Sequence, residues 1–161
     1  MNARPEPSDD SPPDAVDSTL LASRALLGIV ARSVSTALES VTLPQFRVLV
    51  VLSSEGPLRV TTLAERMGVV QSTFSRSLAR MVEGGWVQRT ENPDSRREVL
   101  VQLTPTGRRL VSEVTRRRRA EIAAVLKRLP PPDQQAVARG LAAFNAAAGE
   151  PTPDDLLVLG L

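Results

Sequence analysis

"TTLAERMGVVQSTFSRSLARMVEGG", residues 61–85, holds two helical patterns separated by a glycine-marked turn. In the first, Thr62 and Glu65 have the spacing of a capping box, and Gly68 stands where a helix of about two turns would end. In the second, Phe74, Leu78, Met81 and Val82 share one stripe while Ser72, Ser75, Arg76 and Arg80 lie mostly off it. That second helix has a face to bury and a face of short polar and basic side chains to expose. Gly84 and Gly85 close it.

Toward the C-terminus, "WVQRT" (86–90) and "EVLVQLT" (98–104) are runs of high β-propensity around "ENPDSRR" (91–97), the pattern of a β-hairpin with a long loop and a basic tip. Trp86 opens the first run as an expected core aromatic, Asn92 and Pro93 shape the loop, and Val99 and Val101 are expected to anchor the second run to the domain. A helix can then start at Thr104 with Pro105 in its first position, carrying Leu110, Val114, Ile122, Val125, Leu126 and Leu129 at helical spacing. "PPPD" (130–133) stops it and starts another, about 133 to 148, with Val137, Leu141 and Phe144 on one face.

Toward the N-terminus, Pro44 suits the first turn of a helix whose apolar face is Phe46, Leu49, Val50 and Leu52, with Gly56 as its left-handed stop. A short extended piece, 58–60, joins it to the opening stretch. Before it, Leu20, Leu27, Val30, Val34, Leu38 and Val41 mark one long amphipathic helix.

Composition narrows the chemistry. The 161 residues fit one unit, poor in aromatics and rich in Ala, Val and Leu, which favours packed helices. With no cysteine and no histidine there are no disulfides, no thiol sensor, no Cys/His zinc site and no imidazole acid or base. The acids sit in caps and helix faces rather than in a convergent pair, so an enzyme is not expected, nor any cofactor. Residues 1–19 read as a disordered acidic, Pro-rich tail without signal-peptide character, and no run is apolar enough for a membrane span, so the expected location is the cytoplasm. At the other end, Thr152, Pro153, Asp154 and Asp155 look like a helix start before an apolar tail expected to pack on the terminal helices.

Charge is polarised. Residues 47–128 hold sixteen Lys+Arg against eight Asp+Glu, whereas 1–19 hold five acids and one arginine. A basic middle suits a polyanionic partner. The densest run, Arg116 to Arg119, is an exception: four consecutive helical residues point around the axis, and Glu113, Arg117 and Glu121 form an i,i+4 ladder, so a solvated face is expected there.

Helix, short helix, glycine turn, second helix, hairpin is the order of a winged helix-turn-helix, mainly α with a small β-hairpin wing. A major groove admits one α-helix whose first turns present short donors and arginine to base edges. Gln71, Ser72, Thr73, Ser75, Arg76 and Arg80 occupy that position, with Arg80 able either to reach a phosphate or to pair with Glu83.

Residues 63–110, and above all "RREVLVQLTPTG" (96–107), resemble the core and wing signature of the multiple-antibiotic-resistance regulator (MarR) family. The resemblance covers about 45 to 148. It implies a homodimer held by long N- and C-terminal helices (20–43 and 105–161), with winged domains (44–104) on a palindromic double-stranded DNA. It also implies wing arginines, here Arg96 and Arg97, in the minor groove, and release by a small aromatic or anionic effector. Two positions depart from the family pattern: Val70 stands where an acid or serine often caps the recognition helix, and Ser95 stands where the wing's bracing aspartate usually is. The reading is thus a sequence-specific regulator, with a repressor favoured; the alternative is a winged-helix interaction or architectural dimer without a specific operator.

Overall fold

In the computed structural model, Thr42 opens helix α2 (Leu43–Glu55) with a reciprocal capping box. Its hydroxyl accepts the Gln45 N–H at 3.4 Å, and the Gln45 side-chain oxygen accepts the Thr42 N–H at 2.9 Å. The structure describes residues 14–92 and 95–149, with backbone alone at 95–97. The acidic stretch before Asp14, the loop residues Pro93 and Asp94, and the C-terminal apolar run lie outside the described residues.

Helix α2 buries Phe46, Val48, Leu49, Val50 and Leu52, so it forms the middle of the core. Gly56, at φ 79°, ends it in a conformation that other residues avoid. Strand β1 (Leu58–Arg59) follows and runs directly into α3 (Val60–Met67). The Thr62–Glu65 box expected at this start is absent. Pairing of β1 with β3 holds the chain extended to Arg59, so the helix begins at Val60 and Thr62 already lies inside its first turn, with no side chain capping it. Gly68 ends the helix as expected and is left-handed, its N–H returning to Glu65 O at 3.0 Å.

Helix α4 (Gln71–Glu83) lies against the core through Phe74, Leu78 and Met81, at i, i+4 and i+7. After it, β2 (Val87–Asn92) and β3 (Ser95–Leu103) form an antiparallel hairpin, and β1 adds to the other side of β3, giving the order β1-β3-β2. Val87, Val101 and Leu103 are buried, which fastens the base of the hairpin to the helices. Val99 does not share that role. It is on the same face as Val101 but lies past the core's edge and is exposed.

Thr104 caps α5 (Pro105–Leu126), its hydroxyl accepting the Gly107 N–H at 3.1 Å with Pro105 in the first turn. The same hydroxyl donates to Gly85 O at 2.6 Å and approaches Trp86 O at 3.1 Å, where the Thr104 N–H also donates at 3.2 Å. Trp86 is half-buried beside this junction.

Helix α1 (Ala15–Ser35) begins earlier and ends earlier than the expected Leu20–Val41. Asp14 supplies the cap, accepting from Val16 N–H at 3.5 Å, so the stretch 15–19 is helix rather than tail. A 3-10 turn, Ala37–Glu39, then follows, and both Ala37 and Val41 are buried in the core.

Polar contacts join α1 to α5. Arg32 pairs with Glu121 at 2.8 Å, Arg118 donates to the buried Ser33 hydroxyl at 3.3 Å, and Arg117 donates to the Thr36 hydroxyl. The anticipated ladder is therefore half formed: Arg117 meets Glu113 at 2.7 Å, but Glu121 turns to Arg32 instead. The Arg116 and Arg117 hydrogen bonds hold the Glu113 carboxyl down at about 2, so this cluster stays paired until strongly acidic pH, while burial lowers the Arg118 guanidinium. The run 116–119 is thus not a freely solvated face; most of it is occupied with acids and hydroxyls of its own chain.

Helix α6 (Pro131–Ala148) has no buried residue. Phe144, at 54% exposed, and Leu27 on α1, at 67%, belong to a set of uncovered apolar side chains on the two terminal helices. No helix among the described residues is long and apolar enough to cross a membrane.

Candidate nucleic-acid interface

With its apolar stripe fixed against the core, α4 has one possible outer face. Gln71, Ser72, Thr73, Arg76 and Arg80 are all exposed on it, and Thr73, Arg76 and Arg80 line a single open depression. Ser75 differs. It is half-buried, and its hydroxyl donates to Gln71 O at 2.9 Å, so its proton is already used within the helix.

Charge on this face is uncommitted. Among the described residues Arg76 and Arg80 form no ion pair, and the expected alternative partner of Arg80, Glu83, is not engaged with it. Several arginines elsewhere are paired: Arg66 with Glu55 at 3.1 Å, Arg59 with Glu98 at 3.0 Å, Arg32 with Glu121, and Arg116 and Arg117 with Glu113. Unpaired guanidinium groups can give their planar donor forks to phosphate or base edges without first breaking an internal contact.

The start of α4 adds to this. Val70 is the N-cap residue and no side chain caps the helix; its first turn has no acid. Val70 O accepts from Thr73 and Phe74 N–H, which leaves the helix's positive end without a compensating negative group. Neither Ser72 nor Gln71 takes the cap, so the helix starts one residue after Val70.

The hairpin carries Arg96 and Arg97 within β3; their side chains lie outside what the structure describes. Their backbone position is nonetheless informative. Register runs evenly from Val87↔Leu103 to Glu91↔Val99 and then jumps to Asn92↔Ser95. Residues 96–98 are therefore extra on β3, a bulge of the kind that bends a strand and re-aims its side chains.

Glu98 and Arg59, which meet at this bulge, were not singled out from the sequence, and Asn92 was read only as shaping the loop. Asn92 is buried, and its side-chain N–H donates to Glu98 Oε2 at 2.7 Å; Arg59 of β1 reaches the same oxygen at 3.0 Å. Strand alternation alone puts Glu98 and Leu100 on one face, but only the pairing Arg59↔Leu100 brings Arg59 diagonal to Glu98. No group of three or more acidic, histidine or cysteine side chains that could hold a metal occurs among the described residues.

A family model described as the MarR family matches residues 41–99, which run from the start of α2 through the bulge. The crystal structure of RV1404 from Mycobacterium tuberculosis is 40% identical and superposes with a TM-score of 0.77, covering 91% of this chain and all of that one. An HTH-type transcriptional regulator of Bacillus subtilis, YfiV, is 32% identical over 105 residues, 65% of this chain and 66% of YfiV. This match thus spans just under two thirds of that relative, and others span less, 41% in the case of Bacillus subtilis YhjH. A MepR variant from S. aureus, solved bound to an oligodeoxyribonucleotide, shares the fold at a TM-score of 0.64 with 14% identity, covering 85% of this chain and 99% of that one.

Proposed function

The chain belongs to the MarR family of winged helix-turn-helix transcriptional regulators, DNA-binding proteins that are not enzymes, and from that premise we propose that it represses transcription as a homodimer on a palindromic operator. One observation carries the reading: a helix fixed by Phe74, Leu78 and Met81 presents Ser72, Thr73, Arg76 and Arg80 together, the two arginines in no ion pair among the described residues. In this assignment α4 enters the major groove and the wing bulge delivers Arg96 and Arg97 to the minor groove, where narrow A·T-rich sequence concentrates negative potential. Residues 44–104 are the DNA-binding unit. The segments 20–43 and 105–161 are the dimerisation elements, and a second copy covers Leu27, Leu141 and Phe144. Two copies related by a two-fold axis place half-sites about one helical turn apart, ~34 Å. A small aromatic or anionic effector that binds between the dimer helices and the winged unit and releases DNA completes the proposal, and it rests on the family alone.

Selection of duplexes from a random-sequence pool, followed by footprinting, tests the reading. A palindrome with two protected half-sites is the expected outcome. Recovery of unrelated sequences with equal affinity would identify an architectural dimer instead.

Two substitutions divide the labour within the interface. Arg97→Ala should weaken binding of the selected duplex by roughly 1–3 kcal/mol and make the salt slope shallower by about one unit; unchanged affinity at two salt concentrations removes the wing assignment. Arg76→Ala should relax preference at particular base pairs when selection is repeated. An equal loss on every sequence would make Arg76 a phosphate contact.

A further inference from the structure

The wing bulge has a built neck. In the register that holds from Val87 to Glu91, Asn92 would lie opposite Glu98; instead the backbone of Asn92 pairs with Ser95, and residues 96–98 stand out of the ladder. The side chains restore what the backbone gives up. Asn92 Nδ2 donates to Glu98 Oε2 at 2.7 Å across the base of the bulge, so both arginines sit on a loop whose two ends are tied together. The tie continues sideways. Arg59 donates to the same oxygen at 3.0 Å, and Arg59 is the N-cap residue of α3, the helix that leads into α4.

We infer that Glu98 is the positioning residue of the wing, holding the arginine-bearing bulge in a fixed pose relative to the recognition helix through Asn92 on one side and Arg59 on the other. The inference rests on the proposed role of the wing in DNA binding. Its physical basis is the cost of order: a loop free to move must lose conformational entropy when its arginines dock, and a loop already closed at the neck has lost it on folding. Asn92 is buried, so removal of Glu98 would also take an acceptor from its amide, at a cost beyond the lost tie itself.

The test is a double-mutant cycle on the full-length protein and the selected duplex, with Arg97→Ala measured in the unchanged chain and in Glu98→Ala. Arg97→Ala should weaken binding roughly 10-fold or more in the unchanged chain and no more than about threefold in Glu98→Ala, since an arginine that is no longer positioned has less to lose. Without DNA, backbone amides of residues 95–99 should exchange faster in Glu98→Ala while amides of α4 keep their rates. Glu98→Gln keeps an oxygen for Asn92 and should recover most of the binding and the slow exchange. If Glu98→Ala does not fold, Asn92→Ser, which removes the neck donor and leaves Glu98 in place, enters the same cycle. An undiminished Arg97→Ala effect in the Glu98→Ala or Asn92→Ser background overturns the inference and leaves the wing reading intact. An Arg97→Ala that is silent in the unchanged chain removes the wing reading and the positioning role with it.

Discussion

Raising monovalent salt from 50 to 200 mM should lower the affinity of this protein for its selected operator roughly a thousandfold or more. The expectation follows from the candidate contacts. Each protomer offers Arg76, Arg80, Arg96 and Arg97, eight guanidinium groups in a dimer. If the two Arg76 side chains read base edges, six remain for phosphates. Each phosphate neutralised adds about 0.9 to the slope of log affinity against log salt, and six contacts over a fourfold change in salt give about three decades. The two arginines on α4 form no ion pairs among the described residues, so they can contribute fully rather than exchanging one partner for another. Binding isotherms at four or five salt concentrations measure it. A slope near zero would mean that the exposed face of α4 is not meeting the phosphate backbone, and the architectural reading would replace the operator reading.

Gly107→Ala should be the most damaging methyl group added at any of the described glycines, costing about 3 kcal/mol. A Cβ at that position would stand 2.2 Å from Trp86 O and 3.2 Å from a Leu103 methyl, and the nearer neighbour is backbone with no rotamer to change. Overpacking usually costs 1–3 kcal/mol where side chains can adjust, and here they cannot, so the upper end applies. Relief requires the first turn of α5 to move away from the β2 entrance, which strains the Thr104 N–H donation to Trp86 O at 3.2 Å and the hydroxyl's donation to Gly85 O at 2.6 Å. The expected shift is roughly 6–12 °C in the thermal unfolding midpoint, read at fixed protein concentration because the proposed dimerisation would also contribute. A midpoint within a degree or two of the unchanged protein would show that α5 is not clamped at this carbonyl.

Much of the candidate DNA-facing surface was legible because it depends on local rules. The buried stripe of α4 repeats with the helical period, so fixing Phe74, Leu78 and Met81 inward fixes Arg76 and Arg80 outward. The left-handed Gly68 and the Thr104 cap follow from backbone needs that few residues meet. What escaped depends on partners distant in sequence. The capping box at Thr62 failed because β1 pairs with β3 and sets where α3 can begin. Val99 passes every strand criterion, yet the core ends before reaching it. Arg118 and Ser33 look like a solvated arginine and a polar helix residue until α1 lies against α5. Glu98 reads as an ordinary strand-face acid, and only the register jump at Asn92 gives it neighbours.

The two-residue strand β1 also bears on the order in which the molecule assembles. Leu58 and Arg59 precede α3 and α4, whereas their partners Val101 and Leu100 follow the hairpin, so β1 can pair only after everything between them has been gathered into one closed loop. Helices form on local contacts and early, but closing such a loop carries an entropy cost that must be met before the pairing repays it. The sheet edge is therefore expected to form late in folding, and Arg59 would meet Glu98 only when that step is complete. A nascent chain can hold every helix of the DNA-binding unit and still lack a placed wing, which makes competence to bind an operator a property of the finished fold rather than of its earliest intermediates.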